Sequence, residues 1–372
     1  MNSSSINLTL ANDGCGVLTI DLGSIAENYR RLSAEVSPAT AAAVVKADAY
    51  GLGAVPVSQR LYQEGCRSFF VAHFLEAVQL RPSLPQDASI YVLNGLQPGH
   101  EERAAILDIV PLLNGMEQVM AWARAAVSQG RRLKAALQVD SGMSRLGLSG
   151  EEIAGLLAEP AIMAGIDLSL LVSHLACADE PENPANAEQL EALHEVSKRF
   201  PDLPISFANS GGVFLGGAFH GSLARPGIAL YGGAPHAGGE NPMRPVVRLH
   251  IPVIQTRTVP AGARVGYGGR LVADRTMRLA TLAAGYADGI PRSLGDRGAV
   301  YFGGQRLPIA GRVSMDSMTV DISDLPEGTL TLGMLVEVIG DNQTLEVIAD
   351  DADTISYEIL TRLGRRYQRR YI

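Results

Sequence analysis

The sequence is short of cysteine, of long apolar runs and of positive charge, and each shortage removes a class of protein. Its three cysteines, Cys15, Cys66 and Cys177, are an odd set without a CxxC pair or metal-ligand spacing, so neither a disulfide framework nor a metal site is expected. No uncharged apolar run approaches the roughly eighteen residues of a membrane span, and the first twenty residues lack the basic start and apolar stretch of a signal peptide. A cytoplasmic protein without a membrane partner is the expectation. The net charge of -8 disfavours nucleic acid, which calls for a basic surface. The one dense basic run, RRYQRRYI at residues 365–372, reads as a solvated tail or an interface contact.

What the 372 residues do contain is apolar material in short pieces, 47% of the chain being hydrophobic. Strand-length runs recur at Ala41–Val45, Phe69–Ala72, Ile90–Leu93, Ile109–Leu113, Ala135–Val139, Leu168–Val172, Ile205–Ala208 and Ile228–Tyr231. Between them lie segments with apolar residues three and four apart, such as AVPVSQRLYQEG, EQVMAWARAAVSQG and NAEQLEALHEVSKRF. Eight buried strands alternating with helices suit an N-terminal (β/α)8 barrel of the TIM type, with an open doubly wound sheet as the alternative. After Pro245 the pattern becomes short strands and Gly-rich turns, so a mainly β domain is expected over residues 246–372. The barrel is assigned to 1–245, with a polar leader over residues 1–16. TISYEILTRLG near the end reads as a short helix opened by Thr354 and followed by Gly364.

In such a barrel the reactive groups stand where strands end, which draws attention to Lys46 at the end of AAAVVK. An amine among apolar walls has its ammonium form disfavoured and can attack carbonyls, although a lysine at a strand end can also simply reach out to water. ANSGG at residues 208–212 and ARPGIALYG at 224–232 fall in the loops where barrels build phosphate sites, with Ser210 adding a hydroxyl. Each is also ordinary turn chemistry. A carbonyl-binding lysine combined with a phosphate cradle points to pyridoxal 5'-phosphate.

VVKADAYGLGA, DSGMSRLGL, SHLACADE, FANSGG, ARPGIALYG, VGYGG, GYADGIPR, GRVSMD and SYEIL occur in that order between Val44 and Leu360, within a likeness that runs from about Val17 to the end. Together they resemble the alanine racemase family, which implies a barrel, a C-terminal β domain and a homodimer with shared sites. The resemblance implies that Lys46 carries the cofactor and acts as one base, and that Tyr267, from the other subunit, acts as the second on the opposite face. His174 would support Tyr267, and its plain alternative is a core histidine. Arg225 would donate to the pyridine nitrogen. Tyr50, Asn209, Ser210, Gly227, Ile228 and Tyr357 would surround the phosphate end. Arg145 and the backbone of Met315 would meet the substrate carboxylate. Asp179, Tyr286, Arg292, Arg312, Ile355 and Tyr357 would narrow the approach, favouring alanine.

One position departs from the pattern. Many relatives carry a carbon dioxide-modified lysine seven positions before the matched arginine, where this chain has Gln138. A neutral amide cannot form that carbamate, so Gln138 is expected either to bond Arg145 directly or to leave room for a chloride ion. Two rivals that also carry a cofactor lysine fit less well. A barrel-fold decarboxylase would need an acid at the pyridine nitrogen and a late cysteine, and a single-barrel cofactor carrier would lack residues 246–372. A cofactor-free aldolase would leave the phosphate loops unused. Whether the reaction supplies D-alanine for peptidoglycan or breaks it down stays open.

Overall fold

The computed structural model describes residues 15–372, so most of the polar leader expected at 1–16 lies outside the described residues. Its chain forms two compact units, Ser24–Arg244 and a second made of Pro245–Ile372 joined by the chain preceding Ser24.

In the first unit a seven-stranded parallel sheet runs in chain order through Ala43–Val44, Ser68–Val71, Ser89–Val92, Ile109–Leu113, Leu133–Gln138, Ile166–Val172 and Ile205–Ser206. All five residues of Ile109–Leu113 are buried, as expected of a parallel strand covered on both faces. The intervening apolar periodicity becomes the helices Ala54–Gln63, Met116–Gln129 and Ala185–Ser197. The helix Gly150–Ala158 opens on a capping box: Ser149 Oγ accepts from Glu152 N at 3.2 Å and Ser149 N donates to Glu152 Oε2 at 2.8 Å.

Ring closure uses a segment other than the expected one. Ile228–Tyr231 is a 3-10 turn, while Leu223–Ala224 is the strand, pairing in parallel with Thr40–Ala41. Ser222 N donates to Ile205 O at 2.7 Å and Arg225 N to Ala208 O at 2.8 Å, so this short strand links the seventh strand to the first. Ile228–Tyr231 is wholly buried, and a four-residue buried apolar run carries no periodicity that separates turn from strand. The barrel architecture itself is as expected.

In the second unit Val247–Val259 is the organising strand. It pairs antiparallel with Val17–Ile20, Met277–Leu282 and Leu335–Ile339. Ala299–Phe302 and Gln305–Pro308 form a hairpin, and Met318–Asp321 pairs with Met277–Leu282. The basic end of the chain is a strand rather than a free tail, Gln368–Tyr371 lying parallel to Val17–Ile20. Two helices interrupt the strands, Leu345–Asp351 and the anticipated Ser356–Arg362. Ile355, not Thr354, occupies the cap of the latter, and the Thr354 hydroxyl bonds the Glu358 carboxylate one turn on. No described helix is long and apolar enough to cross a membrane.

Candidate active site

Lys46 ends the first barrel strand and opens a turn of unusual hand. Ala47, Asp48, Ala49 and Tyr50 have φ of 53, 56, 53 and 55°. A left-handed conformation costs L-residues roughly 1–2 kcal/mol each, so four in succession need external restraint. The Glu76 carboxylate supplies it, accepting from Ala47 N at 2.5 Å, Ala72 N at 2.8 Å and His73 N at 2.9 Å. Asp48 Oδ1 accepts from Ala54 N at 2.7 Å, and Gly51 N closes on Ala47 O at 2.7 Å. The lysine is thereby fixed by the strand before it and the strained turn after it. Burial, and then the positive field of Arg145, lower its pKa from the ordinary lysine value; Glu76 pulls the other way.

Arg225 lies beyond the end of the closing strand with only 4% of its surface exposed. Its guanidinium donates to Ser206 Oγ at 2.5 Å and Ser173 O at 2.7 Å, and approaches His174 Nδ1 at 3.4 Å. Burial lowers its pKa to about 10, which leaves it charged at neutral pH. His174 is pushed down to about 3 by burial, then by the charges of Arg225, Arg145 and Lys46. It is therefore neutral, and because guanidinium can only donate, Nδ1 is the acceptor and Nε2 carries the proton. Lys46, Arg145, His174 and Arg225 thus share one strongly positive region of the barrel.

A cradle adjoins it. Ser210 Oγ accepts from Gly227 N at 2.8 Å and Ala229 N at 3.3 Å. Gly227 is required by close approach: a Cβ there would stand 2.2 Å from the Tyr50 hydroxyl oxygen. Tyr50 packs on Tyr231 with ring centroids 4.8 Å apart, and Tyr231 donates to Val44 O at 2.8 Å. Ile228 is fully buried at the start of that turn. Asn209 accepts from Gly212 N at 2.9 Å and so shapes the loop beside Ser210. Backbone N–H groups, two hydroxyls and a missing Cβ fit a phosphate group, and the half-buried lysine and buried arginine fit the rest of a pyridoxal phosphate.

The loop bearing Arg145 is folded by Asp140, whose Oδ1 accepts from the N–H groups of Gly142, Met143 and Ser144 at 2.9, 3.0 and 3.1 Å. Gln138, buried beneath it, donates to Leu146 O at 3.4 Å. Among the described residues no hydrogen bond joins Gln138 to Arg145. Asp179 is exposed, with its carbonyl accepting from Ala237 N at 2.9 Å.

The remaining expected residues belong to the second unit. Tyr267, 72% exposed, is displayed by a turn in which Gly266, Gly268 and Gly269 all have positive φ. Met315, Tyr286, Ile355 and Tyr357 are exposed as well. Tyr286 N donates to Ser314 O at 2.9 Å and Ala287 N to Met315 O at 3.0 Å, so the Tyr286 and Met315 segments are tied together. Tyr286 and Arg292 line a cavity of about 520 Å³, and Arg292 and Arg312 line another of about 410 Å³.

Four participants were not anticipated: Glu76, Ser173, Ser206 and Tyr231. His73-x-x-Glu76 carries a helix-start signal that could have placed Glu76, since its carboxylate completes a capping box. The two serines act on Arg225 across the barrel, where no local pattern announces them.

Comparison with known proteins follows the division of the chain. Residues 20–235 match the family "Alanine racemase, N-terminal domain", and residues 246–371 match "Alanine racemase, C-terminal domain". The chain is 59% identical over 362 residues to a protein of Agrobacterium fabrum named "Alanine racemase, catabolic", covering 97% of this chain and 93% of that one. It is 53% identical over 370 residues to "Alanine racemase" of Brucella canis, covering 96% and 93%. The crystal structure of alanine racemase from Bartonella henselae with covalently bound pyridoxal phosphate superposes with a TM-score of 0.93 at 44% identity, covering 96% of this chain and 99% of that one.

Proposed function

The chain belongs to the alanine racemase family, and we propose that it interconverts L- and D-alanine with pyridoxal 5'-phosphate as cofactor. The observation that carries this reading is Lys46, locked between a barrel strand and a left-handed turn and deprived of part of its basicity by burial and Arg145. The cofactor, when bound, withdraws electrons from the α-carbon and makes its proton removable. Lys46 holds the cofactor covalently, then takes or returns the proton on one face. Tyr267 of a second copy serves the other face, so that the barrel of one copy is completed by the β domain, residues 246–372, of the other. The display of Tyr267 on a glycine turn and the exposure of Met315 support a homodimer with shared sites.

Arg225, which can only donate, would face the pyridine nitrogen and leave it unprotonated, making the cofactor a weaker electron sink and disfavouring transamination. His174, neutral, supports the tyrosine from within the barrel. Tyr50, Ser210, Gly227, Ile228 and Tyr357 hold the phosphate, with Asn209 shaping the loop. Arg145 and the Met315 N–H bind the substrate carboxylate. Asp179, Tyr286, Arg292, Arg312, Ile355 and Tyr357 restrict access to small amino acids. The same chemistry serves either supply of D-alanine for peptidoglycan or its breakdown in the cytoplasm.

The test is incubation of the yellow holoprotein with L-alanine in heavy water. D-alanine labelled at the α-carbon is the expected product; a holoprotein that neither inverts nor exchanges the α-proton would sink the assignment. For Gln138, whose amide holds Leu146 O, a chloride ion beside Arg145 is the reading we favour. Activity in chloride should then exceed activity in gluconate at equal ionic strength, and equal rates would leave the ion without a role.

A further inference from the structure

Resting on the racemase reading, we propose that Arg366 is a positioning residue that clamps Asp288 to Asp316 and so fixes the Met315 N–H that meets the substrate carboxylate. Arg366 belongs to the basic run RRYQRRYI, which the proposed reaction leaves without a role.

The anchor of the clamp is Asp288, whose carboxylate is fully buried. A buried carboxylate is tolerable only where its oxygens are met by donors. Here they accept from Arg366 Nε at 2.6 Å and Nη2 at 2.8 Å, from Gly285 N at 3.0 Å and from Cys15 Sγ at 3.1 Å. The contact with Arg366 is bidentate, which fixes the plane of the guanidinium as well as its place. The backbone behind it is held too: Arg366 O accepts from Cys15 N at 3.2 Å, and the strand Gln368–Tyr371 begins two residues later.

The remaining nitrogen, Nη1, donates to Asp316 Oδ1 at 2.7 Å, and Asp316 directly follows Met315. Met315 is thereby held from two sides, since its O also accepts from Ala287 N at 3.0 Å. The two segments can lie this close only because residue 285 is glycine: a Cβ there would stand 2.2 Å from Ser314 O and 2.5 Å from Met315 O. One guanidinium thus ties the turn Tyr286–Asp288 to the loop that carries Met315. Asp316 is 62% exposed, and an isolated surface ion pair would contribute little. This pair differs because Asp288 has already fixed the arginine, so little freedom is left to lose on pairing.

The test is made on the holoprotein. Arg366→Lys keeps the positive charge beside Asp288 but replaces the planar fork with a point charge that cannot grip two carboxylates in fixed directions. KM for L-alanine should rise about tenfold, the worth of one hydrogen bond to a carboxylate, with kcat within about twofold and cofactor absorbance unchanged. Propionate, which is alanine without its amine, needs no turnover, and calorimetry should show its dissociation constant rising by the same factor. Asp316→Ala breaks the outer half of the clamp at an exposed position, where folding is not at risk, and should raise both constants. Combined with Arg366→Lys it should add nothing further, because both act through one contact. A merely structural role would lower thermal stability and kcat while KM and propionate binding stay at wild-type values, and that result would overturn the proposal. Effects that multiply in the double variant would overturn it as well. A wild type without racemase activity would instead count against the racemase reading, and propionate binding would still judge the clamp.

Discussion

In the unit Ser24–Arg244 the charge at the centre of the site, Arg225, is inside while Arg145 and Asp179 lie at the surface, whereas in the unit containing Pro245–Ile372 the site's large apolar groups are outside. Arg225 is 4% exposed and Tyr267 is 72% exposed. Burying a charge is costly unless each donor is met, and the barrel meets the cost with Ser206, Ser173 and His174 around Arg225 and with Glu76 beneath the Lys46 turn. Those groups are positioned before a ligand arrives. The exposed residues have the opposite character: Tyr267, Met315 and Ile355 present apolar surface of the kind that marks an interaction face. One unit reads as the finished part of a site and the other as a contribution awaiting a partner, which is the division the shared-site proposal requires.

The strongest way to break that contrast is to empty the barrel of its lysine. Lys46→Ala removes both the covalent attachment and one base, and racemisation should fall by about 10⁴-fold or more with loss of the protein's yellow absorbance. Retained colour and activity would move the chemistry elsewhere. Tyr267→Phe probes the exposed side alone. It should leave the cofactor bound, lower the rate by about 10²- to 10³-fold, and slow α-proton exchange from one enantiomer far more than from the other. Equal slowing of both would remove Tyr267 from the role of second base. Steady-state rates cannot decide this, because they must satisfy the overall equilibrium, so single-turnover exchange is the readout.

A smaller effect is expected from Gly227→Ala. The new Cβ would overlap the Tyr50 hydroxyl, and overpacking of about 1–3 kcal/mol corresponds to about 5- to 150-fold weaker retention of the cofactor. Spectral titration of the protein stripped of cofactor measures it. Addition of Tyr50→Phe to the same chain, which removes the atom in the way, should recover part of the loss; no recovery would mean that the glycine serves backbone conformation rather than close approach.

How far the sequence discloses all this differs between residues for physical reasons. Lys46 could be singled out as a candidate because a charged residue closing an apolar strand stands out, although that pattern also describes a lysine reaching out to water, and Ser210 and Gly227 because Gly-rich loops after late barrel strands are candidate cradles. The left-handed turn was not legible: of Ala47, Asp48, Ala49 and Tyr50 only Asp48 is a type that visits positive φ, and the turn is held in part by Glu76 from a different helix. The displaced eighth strand failed for lack of length, Leu223–Ala224 being two residues. The partnership of Val17–Ile20 with Val247–Val259 joins residues more than two hundred positions apart, which no local periodicity can encode.

His174 gives the finest test of the buried half, because its titration can be read in stability separately from any effect on rate. Its pKa in the folded protein is about 3, against 6.5 for the free side chain, since burial and three neighbouring cations oppose a further charge. Between those values the unfolded chain binds a proton that the folded chain refuses. The unfolded state then holds more protons, so stability rises with pH through that window and is lost as pH falls from about 6.5 towards 3. His174→Gln keeps a neutral polar side chain and removes the titration. Urea unfolding of the two proteins at pH 7 and pH 5 should therefore show the wild type losing more stability on acidification than the variant, while their difference above pH 7 stays constant. Parallel losses would mean that His174 can be protonated in place. The neutral histidine would then be no fixed feature of the barrel, and the contrast between a preorganised interior and an unfinished surface would lose its most sensitive support.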